Sequence, residues 1–133
     1  NRAVELGVER SMRFAGRVPS GDVPAYYAAA DVSVDPVLNN QIAQARSPLK
    51  LYESLAVGTP VVTGDVGDRR QALGDNEAML VAAGDADALG KRLAILLQDS
   101  AARARLEGWA TDHQEQFFWE SQIDEFIRVY EPA

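Results

Sequence analysis

The 133-residue chain contains no cysteine, which excludes disulfides, thiolate catalysis and Cys-based zinc sites. It has a single histidine, His113, too few for a His-rich metal centre. Basic residues are scarce as well: 13 Lys and Arg stand against 20 Asp and Glu, for a formal net charge of −7. No basic stripe exists to neutralise a phosphate backbone, so nucleic acid is not expected as a partner. The same deficit argues against direct docking of this chain on an anionic membrane. Long apolar runs are lacking too. None approaches the ~20 residues of a membrane span, and no leader-type segment opens the sequence. A cytoplasmic setting is the expectation. Apolar residues make up 47% and charged ones 25%, the profile of a soluble globular protein, and the length suits one compact domain.

Hydrophobic spacing and punctuation predict alternating helices and strands. NRAVELGVER reads as the tail of a helix, capped at Gly7. MRFAG (12–16) reads as a short strand, and PAYYAAA (24–30) as a helix, with Ser20-Gly21-Asp22 supplying its turn and Pro24 in its first turn. DVSVDP (31–36) is a strand stopped by Pro36, and LNNQIAQAR (38–46) a polar loop. Residues 48–57 form a helix ending at Gly58, and PVVTG (60–64) a strand buried on both faces. Residues 69–73 make one or two helical turns, and EAMLVAA (77–83) another strand. Asp85 and Asp99 cap two further helices, the first with Leu89, Leu93, Leu96 and Leu97 at helical spacing. FFWESQIDEFIRVY makes the last, with Ile123, Phe126, Ile127 and Tyr130 on one face. This alternation predicts an α/β fold: a Rossmann-like parallel sheet with helices on both faces. Ligands of such sheets bind beyond the carboxyl ends of the strands, which directs attention to the loops after Gly16, Asp35 and Gly64.

The run SPLKLYESLAVGTPVV, residues 47–62, carries the chemistry. Ser47 reads as the helix N-cap and Pro48 as its first residue. The backbone N–H groups of Leu49 and Lys50 then lie at the positive end of the helix dipole, where an anion binds. Lys50 is unfavourable in that first turn unless something negative offsets it, and a phosphate would do so. Glu53 lies one turn further on the same face, placed to accept hydrogen bonds from both hydroxyls of a ribose. Its other reading is a solvated glutamate paired with Lys50, and spacing alone leaves the two level.

This run resembles the signature of family-4 (group 1) glycosyltransferases, in which a short Pro/Gly-rich lead opens a helix bearing a glutamate, followed by A-x-G-x-P-V-V. MRFAGRV is similar to that family's strand and turn around the nucleotide base, AYYAAADVSVDP to the helix and strand that follow, and FFWESQIDEFIRVY to its closing helix. The resemblance implies the nucleotide-sugar-binding, C-terminal half of a GT-B fold. It carries the ribose-binding glutamate onto Glu53 and the diphosphate-binding segment onto Ser47, Pro48, Leu49 and Lys50. Contact with the base falls on Arg17 and Val18. Lys50 is the candidate catalytic residue, stabilising charge on the departing diphosphate. The implied reaction is retaining transfer of a hexose from a UDP-, GDP- or ADP-sugar to a glycan or lipid acceptor, with no cofactor required and no metal site. A second glutamate that the family often has eight positions before Glu53 is here Ala45. Asn39, Asn40 and Gln44 are substitutes for reading the sugar.

The resembled half has parallel strands in the order 3-2-1-4-5-6, and residues 1–133 supply counterparts of strands 3 to 6 only. The expectation is a single partial donor-binding domain lacking its first two strands, with the acceptor-binding N-terminal domain, and any membrane-peripheral contact, elsewhere in a longer protein. A rearranged sheet, or one swapped with or completed by another chain, is the other way to close that gap. The isolated chain is expected to show no turnover. A non-catalytic nucleotide-binding or protein-association module of the same fold is the alternative, favoured by Ala45. A response-regulator type of domain would want an acidic cluster at the end of its first strand, and MRFAG ends in none.

Other features have plainer readings. Asp85-Ala86-Asp87 spells D-x-D, but at a helix start acids cap and complement the dipole. Gly64-Asp65-Val66-Gly67-Asp68 is not G-x-G-x-x-G and reads as a loop at the cleft rim, a candidate for meeting the donor sugar. His113 reads as a surface residue, Tyr26 and Tyr27 as helix packing, and Trp109, Phe117, Phe118 and Trp119 as core or interdomain packing.

Overall fold

A computed structural model describes residues 2–74 and 76–130, without the side chains of Gln122, Asp124 and Glu125. Its centre is a three-stranded parallel sheet of β1 (Ser33–Asp35), β2 (Val61–Asp65) and β3 (Leu80–Ala82), in that spatial order. Val34 lies opposite Val62, and Gly64 opposite Val81. The helices are α1 (Arg2–Glu5), α2 (Val23–Ala28), α3 (Gln41–Ala45), α4 (Leu49–Ala56), α5 (Arg69–Ala72), α6 (Ala86–Gln98), α7 (Ser100–His113) and α8 (Trp119–Arg128), and α4, α5 and α6 pack on the sheet. The parallel α/β architecture is thus the one expected.

The caps account for where the long helices begin. Asp85 Oδ1 accepts from the Ala88 N–H at 2.8 Å and Asp99 Oδ1 from Ala102 at 2.9 Å, each satisfying a donor that the helix leaves free. Asp85→Ala is expected to cost about 1 kcal/mol of stability, read as a lower midpoint in urea denaturation. Leu51 and Leu55, one turn apart on α4, meet Val61, Val62, Leu73, Met79, Leu80, Leu96, Leu106 and Ala110 in one core. Of the expected α6 stripe, Leu96 is buried and Leu89 and Leu93 pack against the core, while Leu97 faces out. Gly64 keeps β2 close to its neighbours: a β-carbon there would sit 2.7 Å from Val37 Cγ1 and 2.9 Å from Ala83 Cα.

Three segments differ from expectation. Residues 12–16 form no strand, and Phe14 is 78% exposed. An extended segment becomes a strand only against a partner, and β1 pairs with β2 alone among the described residues. Residues 41–45, expected as loop, form α3, because Asn40 Oδ1 caps the Ala43 N–H at 2.9 Å. The third segment, 77–83, opens as a 3₁₀ turn, Glu77–Met79, so β3 starts only at Leu80. The closing helix forms at Trp119–Arg128, but Phe126, Ile127 and Tyr130 are exposed.

A candidate anion site at the carboxyl ends of the strands

Helix α4 is set by hydroxyl groups at its carboxyl end. Ser54 Oγ donates to the Thr59 carbonyl at 2.9 Å and lies 2.7 Å from Ser33 Oγ on β1. Thr59 Oγ1 in turn donates to the Tyr27 carbonyl of α2 at 2.8 Å. These bonds fix the rotation of α4 against β1 and α2, and with it the directions of Lys50 and Glu53.

At the other end of α4 the cap differs from the expected one. Ser47 makes no capping bond; Pro48 holds the cap position with φ −85° and ψ 80°, and Leu49 is the first helical residue. That backbone is an inverse γ-turn, closed by the Leu49 N–H on the Ser47 carbonyl at 3.1 Å. The Pro48 carbonyl accepts from Leu51 at 2.9 Å. Among the described residues the Lys50 N–H has no acceptor, so the free amide of this helix start belongs to Lys50 and not equally to Leu49.

The Lys50 side chain, 58% exposed, extends its ammonium to within 3.2 Å of Asp35 Oδ1 at the end of β1. Asp35 is buried, and its Oδ2 accepts from Arg69 Nε at 3.1 Å and Nη2 at 3.0 Å. Arg69 is fully buried and also reaches Thr63 Oγ1 at 3.1 Å and the carbonyls of Val66 and Ala43 at 3.2 and 3.4 Å. Burial pushes the Asp35 carboxyl up, but the hydrogen bonds from Arg69 and Lys50, then their charges, outweigh it and hold the group below its ordinary value. Asp35 is therefore a carboxylate with two cationic partners.

Glu53 is half-buried, and its side chain has no hydrogen bond or ion pair among the described residues. The pairing with Lys50 that spacing also allowed does not form, because Lys50 turns to Asp35. Tyr27 faces the same region: burial first, then the charges of Glu53 and Asp35, raise its phenol above the ordinary value. Tyr27, Tyr26, Val18, Ser33 and Val34 line a cleft of about 360 Å³. Val18 thus shares that cleft with Tyr27, while the exposed Arg17 is not part of its lining. Ser47 and Leu49 instead border a second cleft, of about 600 Å³, with Tyr52, Asp68 and Trp119. Pro48 is buried and Ala45 exposed.

Sequence reading did not single out Asp35 or Arg69. The available signal was an acid inside an apolar strand, Val34-Asp35-Pro36, which demands a buried partner. Nothing along the chain names that partner, 34 residues away. Of the substitutes for sugar recognition, Asn40 caps α3, and Asn39 accepts from Gln44 Nε2 at 2.7 Å. Asp85 caps α6. His113 is exposed, its Nδ1 2.7 Å from the Trp109 carbonyl and its ring stacked on the indole at 4.4 Å.

The chain is thus a parallel α/β domain with a lysine-bearing helix start at the carboxyl ends of its strands, the place where ligands of such sheets bind. A sequence profile of the family described as glycosyl transferases group 1 matches residues 1–99. The chain is 34% identical over 134 residues to a D-inositol 3-phosphate glycosyltransferase of Corynebacterium efficiens, covering 100% of this chain and 30% of that protein. It is 34% identical over 132 residues to the protein of the same name from Salinispora arenicola, covering 98% and 28%. It is 32% identical over 126 residues to a phosphatidyl-myo-inositol mannosyltransferase of Mycobacterium leprae, covering 94% and 33%. The chain belongs to the group 1 glycosyl transferase family. It spans about a third of the length of these relatives.

Proposed function

We propose that this chain is the donor-binding part of a retaining glycosyltransferase, one that moves a hexose from a nucleotide-diphosphate sugar to a glycan or lipid acceptor. The observation that carries this reading is that α4 presents, one turn apart, the exposed Lys50 ammonium with its backbone amide and the Glu53 carboxylate, the amide and the carboxylate both without a partner among the described residues. The Lys50 amide and ammonium meet the diphosphate, beside Ser47, Pro48 and Leu49. Glu53 takes the two ribose hydroxyls, and the base lies toward Val18 and Arg17. As the sugar leaves, negative charge grows on the diphosphate, and preorganised donors at a helix start stabilise it without reorganising. No nucleophile is required of this chain, and no metal or cofactor.

The acceptor is bound by a further domain of a longer protein, in which this chain's sheet is completed and through which any contact with a membrane runs. Among the described residues no helix is long and apolar enough to cross a membrane. The names of the relatives, which include inositol phosphate and phosphatidylinositol compounds and a mannosyl transfer, are compatible with a lipid or phosphorylated polyol acceptor.

Calorimetric titration of the full-length protein with UDP, GDP and ADP tests the reading. One of the three is expected to bind, and Glu53→Ala to weaken it by about 10- to 100-fold, the value of hydrogen bonds to a charged group. Binding unaffected by that substitution sinks the role of Glu53. Absence of binding to all three favours the non-catalytic module, for which Ala45, standing where relatives often carry a glutamate, is the supporting feature.

A further inference from the structure

Asp35, Arg69 and Lys50 bring one carboxylate and two cations together. Arg69 is fully buried, with its donors spread over Asp35, Thr63 and two carbonyls. Its charge already balances that of Asp35. Yet Asp35 keeps its second oxygen, Oδ1, for the Lys50 ammonium. The cluster therefore retains one net positive charge, and only Lys50 is exposed enough to present it to solvent.

The consequence for Lys50 is unusual for a first-turn lysine. Its charge is repelled by the helix dipole, and its stem has four rotatable bonds, so on its own it would sweep through many rotamers. A lone carboxylate would fix the ammonium but also cancel its charge. A carboxylate already neutralised by a buried arginine fixes it and leaves the charge available.

We propose that Asp35 is the positioning residue of Lys50: the buried Asp35–Arg69 pair is a neutral anchor that holds the ammonium at the start of α4. This rests on the reading of Lys50 as a diphosphate ligand. Asp35 itself touches no substrate. It acts by keeping Lys50 in place before the nucleotide arrives, so that little side-chain freedom is lost on binding.

The test compares nucleoside diphosphate with monophosphate binding by the full-length protein, using UDP and UMP, GDP and GMP, and ADP and AMP. The ratio of the two constants cancels any uniform loss of affinity from a loosened fold. Lys50→Ala is expected to lower that ratio about ten-fold. The double variant Asp35→Asn with Arg69→Gln, which removes both buried charges together, is expected to lower it comparably while Lys50 is still present. A ratio lowered by Lys50→Ala but untouched in the double variant overturns the proposal and leaves the donor reading intact. A ratio that Lys50→Ala does not change overturns both. Should the double variant fail to fold, nitrogen NMR of the lysine ammonium groups in the unaltered protein decides. Without nucleotide, Lys50 is expected to be ordered and slow to exchange beside the exposed Lys91, and a Lys50 signal as mobile as that of Lys91 overturns the anchor.

Discussion

Arg69→Met is expected to destabilise the protein by about 3–5 kcal/mol, the cost of leaving a buried charge without its partner. The fully buried guanidinium supplies Asp35 Oδ2 with both of its arginine hydrogen bonds, and methionine replaces its volume but none of its donors. Asp35 would keep only the exposed Lys50 and the Thr63 hydroxyl, 3.2 Å from Oδ2. The carbonyls of Val66 and Ala43 would lose a donor in the same step. Urea denaturation followed by circular dichroism measures the loss. A midpoint unchanged from the parent protein would show that the pair contributes nothing. Asp35→Leu in the Arg69→Met background is expected to recover part of the stability, since replacing a buried ion pair by apolar groups of similar volume is often neutral or better.

Gly64→Val is the second large effect, a loss of about 3 kcal/mol, at the upper end of what overpacking usually costs. The β-carbon alone would lie 2.7 Å from Val37 Cγ1, 2.9 Å from Ala83 Cα and 3.1 Å from Ala83 Cβ. Val37 can rotate away, but Ala83 Cα is backbone, and moving it pulls on β3 through the register of Gly64 with Val81. A branched side chain adds two further methyl groups to that conflict. Thermal melting provides the measurement, and a melting temperature within a degree of the parent would refute the packing argument. The residue therefore has a packing role inside β2, at the head of a glycine-containing run, 64–68, that read as a sugar-facing rim. Gly67, two residues past β2, is the other case: at φ +61° its β-carbon would press on the Ala43 and Gln44 carbonyls at 2.9 and 3.0 Å.

What could be read ahead of the structure follows from the range of the forces involved. Helix α6 was legible because its signals are local: Asp85 caps it, and Leu89, Leu93 and Leu96 recur at its period. The same holds for the body of α4 and for β2, whose Val61, Val62 and Thr63 are buried. The first turn of α4 was less legible. Serine followed by proline suits a cap at either residue, and the γ-turn that settles the matter is a property of one ψ angle. MRFAG has the composition of a strand, but pairing is a property of two segments. The Asp35–Arg69 pair is non-local in the same way. One half of the candidate site, Lys50 and Glu53, shares a helix turn, so spacing put the two on one face and the family resemblance supplied their roles. The other half is brought to it by the sheet.

The hydroxyl chain from Ser33 through Ser54 and Thr59 to the Tyr27 carbonyl has a bearing on how nucleotide preference can change. It clamps the far end of α4, so on the proposed reading that helix meets a nucleotide as a fixed post. On the proposed reading, the diphosphate and ribose, which every nucleotide donor shares, are gripped by that post. The base, the part that differs between donors, is met by residues near Arg17 and Val18, in a stretch without regular structure. The division of labour is physical: the constant part of the ligand faces the rigid element, and the variable part faces a segment in which substitutions disturb no core packing. Selectivity among uridine, guanosine and adenosine donors can then drift in that stretch while the grip on α4 stays as it is.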